Sequence, residues 1–183
     1  MRTLITAVKL FVCMTVVTGI VYPLTVWVYA KAFFSDKAEG GVIIHGGKAV
    51  GAELIGQNFT KPGYFWPRPS AIAYNPMPSG GSNLSLTSRQ LRDTMKKRGG
   101  KFGGVDVPAD LVFASGSGLD PHLSPAAAFI QCDRVAKARG VAKVDIISLV
   151  DGMAEPRQDG FLGEPRVNVL LLNMKLDEKY PND

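Results

Sequence analysis

LFVCMTVVTGIVYPLTVWVYA, the stretch from Leu10 to Ala30, holds no charged residue and is bracketed by Lys9 and Lys31. As a helix rising about 1.5 Å per residue, it is long enough for a hydrocarbon core of about 30 Å. A cleaved secretory signal is the alternative, and Ala30-Lys31-Ala32 imitates a small-x-small cleavage site. The apolar run nevertheless exceeds the roughly 7–15 residues of a signal core. Trp27, Tyr29, Phe33 and Phe34 also gather at one end, where aromatic rings favour the lipid–water boundary. The stretch is therefore expected to be an uncleaved anchor, and no second run of this length follows it.

Arg2 and Lys9 precede the span with no acidic residue among the first nine, whereas Lys31 and Lys37 are accompanied by Asp36 and Glu39. Orientation follows the count of Lys and Arg rather than net charge, so the bias toward a cytoplasmic N-terminus is slight. The expected organisation is a short cytoplasmic N-terminus at 1–9, a transmembrane anchor at 10–34 and a globular domain at 35–183 outside the cytoplasm.

Phe11, Thr15, Thr18, Tyr22, Thr25 and Tyr29 recur at spacings of 4, 3, 4, 3 and 4 and so share one helix face, close to Gly19 and Pro23. Lipid gives no reason for hydroxyls there, whereas a neighbouring helix can use small and polar side chains for close packing and hydrogen bonds. Thr15, Thr18, Tyr22 and Thr25 are accordingly expected to face a partner. The competing reading is that each threonine bonds its own backbone.

The whole chain has 183 residues, 46% hydrophobic and 20% charged, enough for a packed core and unlike a disordered linker. Two cysteines and two histidines exclude a zinc ribbon and a disulfide-stapled mini-protein. Cys13 lies in the span and Cys132 on a helix face, so they cannot pair.

Gly46-Gly47 between Val42–His45 and Lys48–Ile55 predicts a β-hairpin. Residues 61–82 carry five prolines among aromatics and glycines; Tyr64, Phe65 and Trp66 would be costly to expose together, so this is an ordered loop. Thr87 and Gln90 form a capping box for a basic helix ending at Gly99, with Arg89, Arg92, Lys96, Lys97, Arg98 and nearby Lys101 against Asp93. Ser124-Pro125 opens a second helix closed by Gly140, and a short helix is expected around Val144–Val150. Arg166–Leu172 reads as a buried strand with Asn173 capping a last turn. Without regular βαβ alternation, the fold class is α+β.

Signals for chemistry are thin. Ser115-Gly116-Ser117-Gly118 has Ser115 where a nucleophile elbow needs glycine. His122 follows Asp120-Pro121, which is more simply a turn, and no metal is expected, since no carboxylate stands at a ligand spacing to His45. Ser79-Gly80-Gly81-Ser82-Asn83 and Ser115–Gly118 could cradle a phosphate with backbone amides, but neither ends in the Lys-Ser/Thr of a P-loop. Tight turns against a partner surface are the better reading. The basic helix fits anionic headgroups, an acidic partner or a plain solvated face better than nucleic acid, given a net charge of only +5.

Six ordered segments together carry a resemblance: GAELIGQ (Gly51–Gln57), YFWPRPSA (Tyr64–Ala71), SGGSN (Ser79–Asn83), PADLVFASGSGLDPHLSP (Pro108–Pro125), QCDRVAKARG (Gln131–Gly140) and LGEPRVNVLLLN (Leu162–Asn173). With the single span and the length, the chain resembles the C subunit of the Kdp-type potassium-transporting ATPase of bacteria over essentially its whole extent. Residues 84–107 are the least family-like part, so the basic helix takes no role from the family.

The resemblance implies a non-catalytic subunit of an ATP-driven, high-affinity potassium uptake pump in the inner membrane. Its implied partners are an ATP-hydrolysing P-type subunit and a channel-like potassium-binding subunit. ATP would act through the ATPase subunit, whose affinity for it the family is described as raising, in the manner of a catalytic chaperone. Arg68, Ser79, Gly80, Gly81, Ser82, Asn83, Ser115, Gly116, Ser117, Gly118 and Asp120 are the candidate partner or nucleotide contacts. In another class, the alternative is a signal-anchored extracytoplasmic hydrolase using the 115–122 loop.

Overall fold

In a computed structural model of the chain, residues 1–104 and 106–181 are described; Val105, Asn182 and Asp183, all within the expected 35–183 domain, lie outside them. The chain divides into two units, Met1–Val50 and Gly51–Asp183.

In the first unit, α1 (Arg2–Val16), a π-helical turn (Val17–Val21) and α2 (Tyr22–Phe33) run on as one helix of 32 residues. At 1.5 Å per residue it is about 48 Å long, more than a bilayer's hydrocarbon thickness. Pro23 explains the widened turn: it offers no N–H to the Gly19 carbonyl, and its ring would strike that oxygen in a regular helix. Just ahead of it, the Tyr22 N–H reaches back five residues to the Val17 carbonyl. A single turn, α3 (Ser35–Ala38), follows, with Lys31 paired to Glu39. The hairpin of β1 (Val42–His45) and β2 (Lys48–Ala52) has Gly46 and Gly47 at φ 58° and 76°, the positive values that its two-residue turn requires. β2 ends at Ala52, short of the expected Ile55.

The second unit contains α4 (Arg89–Gly99), α5 (Ala109–Val112), β3 (His122–Leu123), α6 (Pro125–Phe129), α7 (Cys132–Arg139), α8 (Lys143–Met153), β4 (Val167–Asn168) and α9 (Val169–Lys179). β3 and β4 pair antiparallel, with His122 opposite Asn168 and Leu123 opposite Val167. The core lies where α6, α7, α8 and α9 meet this pair, around Leu123, Val135, Ile146, Val150, Leu172 and Leu176. The class is α+β, as expected.

Five local readings are corrected. The cap of α4 is Ser88, whose Oγ accepts from the Leu91 N–H, while the Thr87 hydroxyl pairs with that of Ser85. Gly99 does not stop this helix; a 3₁₀ turn continues to Phe102, and Gly103 at φ 93° ends it. The helix between Ser124 and Gly140 breaks at Ile130–Gln131 into α6 and α7, and the short helix around Val144–Val150 extends over Lys143–Met153. Finally, Arg166–Leu172 is not a strand: after two residues of β4, Asn168 accepts from the Leu171 N–H and starts α9. A short apolar run buried on every side carries no period to distinguish strand from helix.

Asn173 consequently lies inside α9 rather than at a cap, and it is buried. Its Oδ1 accepts from the Phe65 N–H at 2.8 Å and its Nδ2 donates to the Phe65 carbonyl at 3.0 Å. Gln131 does the same for the next residue, accepting from the Trp66 N–H at 2.8 Å and donating to its carbonyl at 3.1 Å. Arg134 donates to the carbonyls of Pro62 and Tyr64, and Arg139 to that of Gly63. The aromatic loop thus obtains from side chains the hydrogen bonds that a strand takes from its neighbours.

Asn173→Leu keeps the branched shape of four side-chain heavy atoms but strands both polar groups of buried Phe65. The expected loss is about 2–4 kcal/mol, read as a lowered melting temperature of the full chain in detergent, while Lys175→Leu on the exposed face changes it by less than about 0.5 kcal/mol.

Candidate functional site

The two glycine loops, far apart in sequence, lie against each other. The Gly80 N–H donates to the Ser117 carbonyl at 3.0 Å and Ser79 Oγ donates to the same oxygen at 2.9 Å. The Ser115 N–H donates to the Pro69 carbonyl, which buries Ser115 under the aromatic loop. The closeness of these backbones demands glycine at 118 and favours it at 81. A Cβ on Gly81 would stand 3.1 Å from the Gly116 carbonyl oxygen, and one on Gly118, at φ 70°, 2.8 Å from that of Gly80. Ser82 and Asn83 stand exposed beyond this contact. The Gly80 amide is already engaged, so it is not free to cradle a phosphate.

Arg68 and Asp120 flank the interlocked loops and pair at 2.9 Å. The other Asp120 oxygen accepts from the His122 N–H at 3.0 Å, and His122 Nδ1 stands 3.6 Å from it. Partial burial opposes ionisation of Asp120, but the side-chain and backbone hydrogen bonds of His122, joined by Arg68, outweigh it and hold the carboxyl down at about 2. The pair opens on a cleft of about 1150 Å³, also lined by Asp110, Glu155 and Arg166. Its carboxylates are occupied: Asp110 accepts from the Ser124 N–H at 2.7 Å and Glu155 pairs with Arg166 at 2.8 Å. Among the described residues no group of three or more His, Cys, Asp or Glu side chains could hold a metal ion.

Ser117 Oγ accepts from the Leu119 N–H, and the His122 ring faces Asp120. Among the described residues no serine of the 115–122 loop is hydrogen-bonded to histidine, so the geometry offers the hydrolase alternative no activated nucleophile. Burial pushes the Cys132 thiol up to about 11, where it is an inert apolar group. Along the span, the hydroxyls of Thr15, Thr18 and Thr25 donate to the carbonyls of Phe11, Met14 and Val21. That face, with Tyr22, therefore presents methyl groups, a ring and hydroxyl lone pairs.

Sequence reading missed Gln131, Arg134, Arg139 and Asn173, which hold the loop carrying Arg68. The available signal was an uncharged amide at the edge of an apolar helix stripe, a position that a buried partner has to justify.

A membrane-length apolar helix precedes a small α+β unit whose polar side chains brace irregular loops. A family model described as KdpC: K+-transporting ATPase, c chain, matches residues 4–178, and the chain belongs to this family. A potassium-transporting ATPase KdpC subunit of Paraburkholderia phytofirmans is 51% identical over 180 residues, covering 93% of this chain and 94% of the relative. The proteins of that name from Rhodospirillum rubrum and Dechloromonas aromatica are 48% and 50% identical, covering 99% and 97% of this chain and 98% of each relative.

Because the Asp120 carboxyl is depressed below its ordinary 3.8, the stability it contributes is fully present above that value and lost as pH falls toward about 2. Wild type is expected to lose about 2 kcal/mol between about pH 4 and pH 2 from this group. Asp120→Asn should be less stable at neutral pH and lack that component, as read from melting temperature against pH.

Proposed function

We propose that this chain is the non-catalytic accessory subunit of an ATP-driven, high-affinity potassium uptake pump, needed for its assembly and activity. It would stand in the plasma (inner) membrane beside an ATP-hydrolysing P-type subunit and a channel-like potassium-binding subunit. The observation that carries the reading is a long apolar helix, Arg2–Phe33, with no buried residue, on a member of a family named for a potassium-transporting ATPase. The Thr15/Thr18/Tyr22/Thr25 face is proposed to pack on a partner helix, since nothing in this chain covers it among the described residues.

For ATP, the proposal is allosteric. The chain binds more tightly to one conformation of the complex, ATP favours the same conformation, and each raises the affinity of the other. What supports this over direct contact is the engagement of Gly80 with Ser117, together with the absence of a P-loop lysine. The N-terminus is proposed to be cytoplasmic and the globular part extracytoplasmic, on the Arg2 and Lys9 bias.

A tagged chain is expected to co-purify with the two larger subunits, and removing it should raise the ATP concentration the complex needs for half-maximal hydrolysis. Recovery of the chain alone would sink the subunit reading. Titration of the chain alone with ATP and magnesium in a calorimeter should give no saturable heat, and micromolar binding would overturn the allosteric account. A reporter active only in the cytoplasm should stay silent when fused at Asp183; activity there would reverse the orientation.

A further inference from the structure

Beside the aromatic loop lies a second cleft, of about 590 Å³, that the reading above leaves unused. It is lined by the rings of Phe59, Trp66, Tyr74 and Phe102 and by Arg98 and Lys101. The volume is within the roughly 300–1,000 Å³ typical of ligand sites. The rings are held in place: the Trp66 indole N–H donates to the Lys61 carbonyl at 3.1 Å, its ring meets Phe102 edge-on at 5.8 Å, and the Tyr74 hydroxyl donates to the Arg68 carbonyl at 2.6 Å.

Among the described residues the two cations have no carboxylate partner. Arg98 donates to the Val112 carbonyl at 2.8 Å. Burial pulls the Arg98 guanidinium below its usual range, opposed only by Tyr74. A half-buried cation without an anion is an unfavourable arrangement that an incoming carboxylate would relieve. On α4, Arg89, Arg92, Lys96 and Lys97 are all exposed against the single acid Asp93, so the positive field extends well beyond the cleft.

We propose that this cleft docks a segment of a partner protein in which acidic residues flank an aromatic side chain, the ring entering among Phe59, Trp66 and Phe102 and the carboxylates meeting Arg98 and Lys101. The proposal rests on the reading of the chain as one subunit of an assembly. A peptide is favoured over a free anion because the positive charge continues along α4, where an extended segment gains from it and a single small anion does not.

The test uses the full chain in uncharged detergent micelles with Trp27→Phe, which leaves Trp66 as the sole tryptophan. The probe is the peptide acetyl-Asp-Phe-Glu-Phe-Asp-amide, compared with acetyl-Asn-Phe-Gln-Phe-Asn-amide. The acidic peptide should change Trp66 emission saturably and weaken as salt rises from about 0.05 to 0.5 M. Its amide counterpart should bind at least about tenfold more weakly. Arg98→Gln should cost about tenfold in affinity, and exposed Lys101→Gln, which leaves the melting temperature unchanged, several-fold. Equal binding of the two peptides, an unsaturable change, or indifference to Lys101→Gln would overturn the proposal. So would N-acetylphenylalanine matching the peptide, which would indicate a free-anion site, or phosphatidylglycerol in the micelles giving the same change without peptide, which would indicate lipid headgroups. Peptide binding by a chain that fails to co-purify with the pump subunits would support the cleft's chemistry while overturning the subunit reading.

Discussion

Two buried carboxamides hold the globular unit together. Gln131 and Asn173 each grip one residue of the Phe65–Trp66 backbone, 65 and 108 residues away along the chain. Phe65 is fully buried in the core, and removing its ring from water contributes about 2–3 kcal/mol. That burial carries the residue's own N–H and carbonyl inside, where each would cost about 1–3 kcal/mol if left unpaired. Among the described residues no strand runs beside this segment, so the amides take the place of one, and loop and helices stabilise each other.

The consequences spread from that clamp along the loop. Arg134 stacks over the Trp66 ring at 3.7 Å while its guanidinium holds the Pro62 and Tyr64 carbonyls. Arg139 reaches from Gly63 to Asp177 and the Tyr180 carbonyl, tying loop, α7 and α9 together. With the backbone fixed, Arg68 meets Asp120, and Pro69 receives the Ser115 N–H. The interlocked loops are thus a rigid surface presented by irregular backbone.

Much of this was legible from composition and short-range pattern. The long apolar helix, the Gly-Gly hairpin, the ordered aromatic loop, the Ser124 helix cap and the helix around Val144–Val150 each follow from residues a few positions apart. The misreadings had local causes as well: Thr87 and Ser88 are both competent caps, and VNVLLLN has no polar side to report a period. Gln131 and Asn173 were not legible as a pair. An amide on an apolar stripe says only that some polar partner is buried nearby, and the partner here is backbone, which leaves no signature in the identity of Phe65 or Trp66.

The sequence by itself determined the membrane helix, the α+β class and the family, because an uncharged apolar run and an ordered series of motifs are properties of neighbouring residues. Only the tertiary structure decided that the two glycine loops meet, that Gly80 and Ser117 bond to each other, that Arg68 finds Asp120, and that Arg98 lies beside four rings with no carboxylate partner among the described residues. Such pairings depend on how distant segments close over one core, and the free energy of closing them is shared among many contacts that no single stretch of chain contains.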